Sequence, residues 1–421
     1  MSKQRRPVWV CNLRVLAVGV FFAGMGFSEI MPFLSLYIAT LGHYTHQQLN
    51  FYSGVVFAVM YCVSAIVSPY WGKLADKKGR KPMILRASLG MAVVIAAMGL
   101  VTNVWQLIGL RMAQGVFAGF VSNSNALIAT ETPKEKSGQA LGTMAAGVTG
   151  GNLLGPLLGG TLAEIFSYRV TFFITGAILF VIFLGCLFFV HEEGFQPVQG
   201  KQFDKASGVI HELTSPRIIF GLLVTTMIIQ AANNSINPII SLFIKELMHG
   251  GKGVTFVSGV IAALPGVATM FAAPLLGRLG DRIGTQKILI MGFIISILCF
   301  VPSAFVKNPW QLGILRFIIG IADASLFPQV QTLLTKNSPS KLTGRIFSWN
   351  QSFMYIGNIL GPLIGGFVAG LFDYGAVFLS TAFLVLVNML LFIVNVYFPW
   401  FYTKWCWLEI FHLYTNAIFV F

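Results

Sequence analysis

The sequence predicts an all-α membrane protein with twelve transmembrane helices in two pseudo-symmetric six-helix bundles. Three observations carry this expectation. Of the 421 residues, 56% are hydrophobic and only 10% charged, and the mean hydropathy is +0.78; a soluble chain of this size needs far more polar surface. A bilayer core about 30 Å thick takes roughly 20 apolar residues per helix, and the chain offers runs of that length throughout. Finally, the charged decapeptide Gly72 to Lys81 (GKLADKKGRK) returns as Gly277 to Lys287 (GRLGDRIGTQK). Gly72, Asp76 and Gly79 are answered by Gly277, Asp281 and Gly284, 205 residues later. So charged a stretch belongs at a membrane face, and its repetition points to duplication.

The twelve spans are expected near 12–39, 50–71, 82–102, 104–130, 138–163, 168–190, 216–246, 254–276, 288–306, 309–334, 343–370 and 374–399. They divide the chain into an N-terminal bundle (1–190), a polar linker (191–215), a C-terminal bundle (216–399) and an aromatic, apolar tail (400–421). Met1 to Pro7 is short and basic, and the apolar run beyond it continues past Gly24 and Gly26, as in an uncleaved first span. With the N-terminus inside, most of the 28 Lys and Arg fall at inner ends or links. Arg169, Lys245, Lys252 and Lys307 fall outside, and Arg111 and Arg316 within spans. Both termini are therefore expected in the cytoplasm, and a bacterial inner membrane is the expected location.

The repeat extends beyond the charged motif. Asn103-Val-Trp-Gln-Leu, with Arg111 and Gly115, answers Asn308-Pro-Trp-Gln-Leu, with Arg316 and Gly320. GNLLGPLLGG from Gly151 answers GNILGPLIGG from Gly357, and PFLSLY from Pro32 answers PIISLF from Pro238. Two parallel halves of six spans are a transporter architecture, with substrate held between them near the midplane.

Composition also excludes function classes. The net charge of +14 is dispersed over short links, which argues against a nucleic-acid partner. Five cysteines, Cys11, Cys62, Cys186, Cys299 and Cys406, lack metal-ligand spacing and read as reduced packing residues. No P-loop, His-Glu-x-x-His or paired-cysteine motif is present, so neither an enzyme nor a cofactor is expected. The expected partners are a small-molecule substrate, protons and the lipid bilayer, with the chain acting as a monomer.

GKLADKKGRK after the second span, the arginine motif of the fourth and the glycine-proline motif of the fifth resemble the major facilitator superfamily. Together with GFVSNSNALIAT, VTFFITGAIL and TGRIFSWNQSF they resemble its twelve-helix drug:proton antiporters, over about residues 10 to 395. The resemblance implies proton-coupled efflux of small amphipathic toxic compounds by alternating access. An uptake symporter on the same fold is the alternative. It also implies that Asp76 caps a helix of the other half in the outward-open state, and that Arg80 is a candidate partner for Glu131. In the second copy Arg80 becomes Thr285, which weakens any such relay there.

In the fifth span Gly147, Gly151, Gly155 and Gly159 recur every fourth residue, one continuous stripe along a helix. Such a stripe admits close helix approach, and Pro156 favours a bend. The wider pattern from Gly142 to Gly159-Gly160 resembles the antiporter motif, although ordinary helix packing explains the glycines as well.

Glu29, Arg111, Arg316 and Asp323 lie well inside spans. Each costs roughly 2.5–3.5 kcal/mol at a helix centre and should face the interior. Burial favours a neutral carboxylate and a nearby arginine the charged one, so such a group can load and release a proton as its surroundings change. Glu29 or Asp323 is the candidate carrier, with Arg111 and Gln114 tuning Glu29. A structural ion pair or a cation-binding carboxylate is the competing reading. The candidate substrate contacts are Asn123, Asn125, Gln230, Asn233, Asn234, Asn237, Phe327, Gln329, Gln331, Asn350, Gln351 and Tyr355. Their mixture of amides and aromatics suits amphipathic guests, and many of them equally suit bonds between helices.

Overall fold

The computed structural model describes residues 7–193, 195, 215–339 and 342–397. Most of the expected linker and all of the expected tail lie outside these residues. The helices of the first half are α1 (Val8–Ser28), α2 (Leu34–Thr40), α3 (His46–Lys78), α4 (Arg80–Met98), α5 (Val104–Val116), α6 (Phe120–Glu131), α7 (Lys134–Ile165) and α8 (Tyr168–Phe189). Those of the second are α9 (Pro216–Ser235), α10 (Ile240–Leu247), α11 (Val254–Ile283), α12 (Thr285–Ser303), α13 (Pro309–Asn337), α14 (Thr343–Leu371) and α15 (Tyr374–Phe392), which ends in a π turn (Ile393–Tyr397). Among the described residues, eleven helical spans are long and apolar enough to cross a membrane. The twelfth is α7, 32 residues long, whose glycines dilute its hydropathy.

Three expected continuous spans are broken. The first parts into α1 and α2 around Met31-Pro32, and the seventh into α9 and α10 around Asn237-Pro238; a proline lacks the N–H that the helix ladder needs. The fourth parts into α5 and α6 at Gly119, whose φ of 108° lies where only glycine is unstrained. Its counterpart 205 residues on is Ala324, and there α13 runs on unbroken.

The two charged motifs prove to be helix ends rather than open loops. α3 continues to Lys78 and α11 to Ile283, and a single glycine turns each chain into the next helix: Gly79 at φ 96° and Gly284 at φ 104°. Helix starts elsewhere follow local signals. Thr45 and Gln48 form a capping box at α3, and Asn103 and Asn308 cap the equivalent α5 and α13.

In the first half α1 packs on α7, α4 on α8 and α3 on α5; in the second α9 packs on α14, α12 on α15 and α11 on α13. The second half holds one apolar core, including Leu289, Phe293, Ile319 and Phe378. The first holds two, around Phe33, Tyr37 and Phe172 and around Leu16, Ile84 and Met144. Large apolar side chains such as Val181, Phe188, Leu298 and Phe383 face outward, a surface made for lipid. Cys186 and Cys299 are buried, whereas Cys11 and Cys62 are exposed and so pack less than expected.

The halves meet along two seams, α3 with α14 and α7 with α11. Contact concentrates at the end far from the charged motifs. A Cβ added to Gly54 would stand 2.6 Å from Pro362 O, and one on Gly160 would stand 2.9 Å from the Gly259 Cα. Ser35 Oγ donates across the seam to Pro238 O at 2.6 Å. At the charged end the same four helices stand clear: Gly72, Gly142, Gly277 and Gly344 have nothing within 4 Å of a Cβ. The molecule is closed at its far end and open at its charged end.

Candidate functional site: two carboxylates beside the cleft

Glu29 sits at the break between α1 and α2, 1% exposed, with its backbone N–H donated to Met25 O. Its Oε1 is in hydrogen-bond contact with Thr175 Oγ1 of α8. Thr175 also reaches Thr171 O at 2.9 Å but owns only one hydroxyl proton. With Glu29 neutral, its O–H donates to Thr175 Oγ1 and both bonds are made. With Glu29 ionised, the threonine hydroxyl turns toward it. The pair accommodates both protonation states by moving one bond.

Asp323, on α13, is half-buried and accepts from Asn233 Nδ2 of α9 at 2.9 Å. Arg316, 8% exposed, lies two turns away on α13 and supplies the facing charge. Arg111 is 1% exposed. It donates from Nε to Val56 O at 3.1 Å and from Nη1 to Gln114 Oε1 at 2.7 Å, under the Phe57 ring and beside Tyr61. Arg111 and Gln114 therefore bond each other and α3 rather than Glu29, which corrects the expectation that they tune it. The reason is the break at Glu29, which turns its side chain toward α8.

The internal repeat shows how each half places its acid. Ser235 and Thr381 occupy the positions of Glu29 and Thr175 and share a hydrogen bond of 2.8 Å. The position of Asp323 is held by Ala118 in the first half. Each half thus carries one membrane carboxylate, at non-equivalent places.

The glycine stripe packs within its own half. A Cβ on Gly147 would stand 2.9 Å from Ala17 O, and on Gly155 2.6 Å from Met25 O; Gly151 and Gly159 press on the α1 backbone at Phe21 and Glu29. Gly160 alone of this set faces the other half, and Gly142 faces open space. Pro156 stays inside the unbroken α7, with its carbonyl against Gly259.

At the charged end Asp76 pairs with Arg80 at 2.6 Å. Glu131 accepts from Asn12 Nδ2 at 2.6 Å and from Glu193 N at 3.3 Å, so in this conformation Arg80 and Glu131 are not partners. Asp281 is exposed. Glu192, in the stretch read only as linker, clasps the start of α4, accepting from Arg80 N at 2.7 Å and Lys81 N at 2.8 Å.

The amides sort into two kinds. Asn237 donates to Asn234 at 2.8 Å and Asn234 to Asn358 of α14 at 2.9 Å, a chain that ties the broken seventh span to its neighbour, and Gln230 accepts from Asn234 through its backbone carbonyl. Asn123 turns back to Gly119 O, Gln329 is buried and reaches Leu276 O, and Asn350 is buried against the Met354 sulfur. Asn125 Oδ1 is buried without a partner, and Phe327 packs against the second core. Gln331 and Gln351 are exposed, and Tyr355 lies near Gln351 and near Ser68 of the other half. Tyr61, near both Tyr355 and Arg111 and edge-on to Phe27, is a cleft residue that no motif marked; only its aromatic type on a seam helix hints at it.

A family model described as Major Facilitator Superfamily matches residues 16–258 and 222–400. The chain belongs to the Major Facilitator Superfamily. Among its curated relatives, "Multidrug resistance protein MdtG" of Dickeya zeae (strain Ech586) is 51% identical over 380 residues, covering 90% of this chain and 93% of that one. The protein of the same name from Salmonella arizonae is 50% identical over 389 residues, covering 92% and 96%. Solved transporter structures superpose at low identity. A bacterial homolog of the human lysosomal transporter Spinster, inward-facing and occupied, gives a TM-score of 0.76 at 14% identity over 93% of this chain and 97% of that one. A mutant of the nucleoside transporter NupG gives 0.74 at 14% identity over 91% and 100%. At that identity the likeness speaks to fold alone, and the fold is that of the superfamily.

Proposed function

We propose that this superfamily member exports small, structurally varied amphipathic toxic compounds across a bacterial inner membrane, driven by inward proton flow. The observation that carries the reading is a cleft between two half-molecules, sealed at one end by backbone-level helix crossings, with a half-buried carboxylate, Asp323, held by Asn233 inside the second half. Relatives at half identity are named multidrug resistance proteins, which favours export of drugs over uptake of a metabolite. The charged end, with Lys73, Lys77, Lys78, Arg278 and Arg282, faces the cytoplasm, together with both termini. The bundles span 1–190 and 216–399, joined by the 191–215 linker, and the chain works as a monomer without cofactor.

Glu29 or Asp323 carries the proton, and Asp76 leaves Arg80 to cap the other half when the charged end closes. The driving force suffices. One proton moving inward releases about 2.3 kcal/mol per 100 mV and about 1.36 kcal/mol per pH unit. Their sum supports a compound gradient of several hundred-fold.

The test is transport by the full chain in inverted vesicles with an imposed pH gradient. A fluorescent, neutral amphipathic compound should accumulate inside and leak out on adding an uncoupler. Release instead of accumulation identifies a symporter. Full coupled transport by both Asp323→Asn and Glu29→Gln rules out the proton assignment.

A further inference from the structure

Two side chains of the first half grip helix ends of the second at the far, outer end. Glu164, in the last turn of α7, accepts from Gly253 N at 3.0 Å and Thr255 N at 3.3 Å, free N–H groups at the start of α11. His46, the first residue of α3, donates from Nε2 to Ala369 O at 2.9 Å, near the end of α14, and its ring lies 5.3 Å from Tyr374. Each group suits the pole it holds: a carboxylate at a helix N-terminus, an imidazole at a C-terminus. The Tyr168 hydroxyl lies 3.4 Å from Thr255 Oγ1 beside the first contact. The repeat does not reproduce this clamp, since the counterpart of Glu164 is Gly370.

We propose that Glu164 and His46 form the outer latch of the transport cycle, gating residues that set how much of the protein stands closed to the outside. The assignment rests on the orientation given above. The glycine crossings at Gly54 with Gly366 and at Gly160 with Gly259 supply fit but no directional bond, and the latch adds two at the seam of α7 with α11 and one at that of α3 with α14. These bonds join different halves, so they break whenever the outer door opens. Both groups are exposed, which keeps each bond modest; a carrier needs its door biased, not fixed.

The experiment uses the full chain with its five cysteines changed to serine and one reporter at a time. Ser258→Cys, buried on α11 next to the seam glycine Gly259 and one turn below the latch, is probed with a membrane-impermeant maleimide on intact cells. Gly142→Cys, at the open end, is probed in inverted vesicles. Glu164→Ala and Glu164→Gln should speed labelling at the first reporter about five-fold, the range of a lost helix cap, and slow it at the second. His46→Ala should act in the same direction, and Lys252→Ala should change neither rate. Unchanged rates overturn the latch, as does faster labelling at both reporters, the sign of general loosening. Should Glu164→Ala fail to reach the membrane, Glu164→Gln alone decides. Labelling of the Gly142→Cys parent on intact cells would instead overturn the orientation.

Discussion

Arg111 is a cation with no carboxylate partner among the described residues, held by Val56 O and Gln114 Oε1. Two separate acceptors suit the fixed fork of a guanidinium and not a single ammonium. Arg111→Lys should therefore lower stability by about 2 kcal/mol and cut transport at least ten-fold, read by thermal melting in detergent and by vesicle efflux. Glu192 is a milder case. Its carboxylate serves two free N–H groups of α4 at the partly exposed charged end. Glu192→Ala should cost about 1 kcal/mol, a fall in Tm of a few degrees, and Glu192→Gln should cost less. Intramembrane charges announced themselves in the sequence because each is expensive in hydrocarbon. Their partners did not. Thr175 and Asn233, the partners of Glu29 and Asp323, come from 146 and 90 positions away, and a hydroxyl or amide in an apolar run carries no mark of what it will bond.

The twelve spans and their order were legible, because length and apolarity are local properties that lipid enforces. The glycine stripe was legible as a packing surface, but its partner was not: it lies on α1 of its own half, and Gly160 alone crosses the seam. The same geometry sets the effect of a single methyl. At Gly259 a Cβ would meet Pro156 O and stand 3.1 Å from the Gly160 Cα, backbone on backbone, where neither side can yield. Gly259→Ala should hold the far end ajar and cut efflux several-fold, with the Ser258→Cys reporter labelled faster. Gly142→Ala, with open space around it, should be neutral in this conformation. The breaks in the first and seventh spans follow from Pro32 and Pro238, visible in the sequence but outvoted by the hydropathy around them.

At the scale of the molecule, duplication was legible from offsets of 205 and 206 residues, and the halves do sit as a pseudo-symmetric pair. Their chemistry is not symmetric. Glu29 faces Ser235 across the repeat, Asp323 faces Ala118, and Glu164 faces Gly370. If protons drive export, an uncoupler should collapse a several-hundred-fold gradient to near unity in energised vesicles, while ATP depletion at a constant proton gradient should leave it intact. Vesicle flux assays with each treatment check this. Which end of the cleft stands open is a property of the three-dimensional state, and a sequence common to all states cannot display it.

The fourth span bends at Gly119 whereas its mirror image, α13, is a rod through Ala324. A pair of levers, one jointed and one stiff, does not flex evenly under load. Rocking should therefore bend the fourth span at Gly119 more readily than its counterpart at Ala324, and the two halves should give unequally at this one pair of spans.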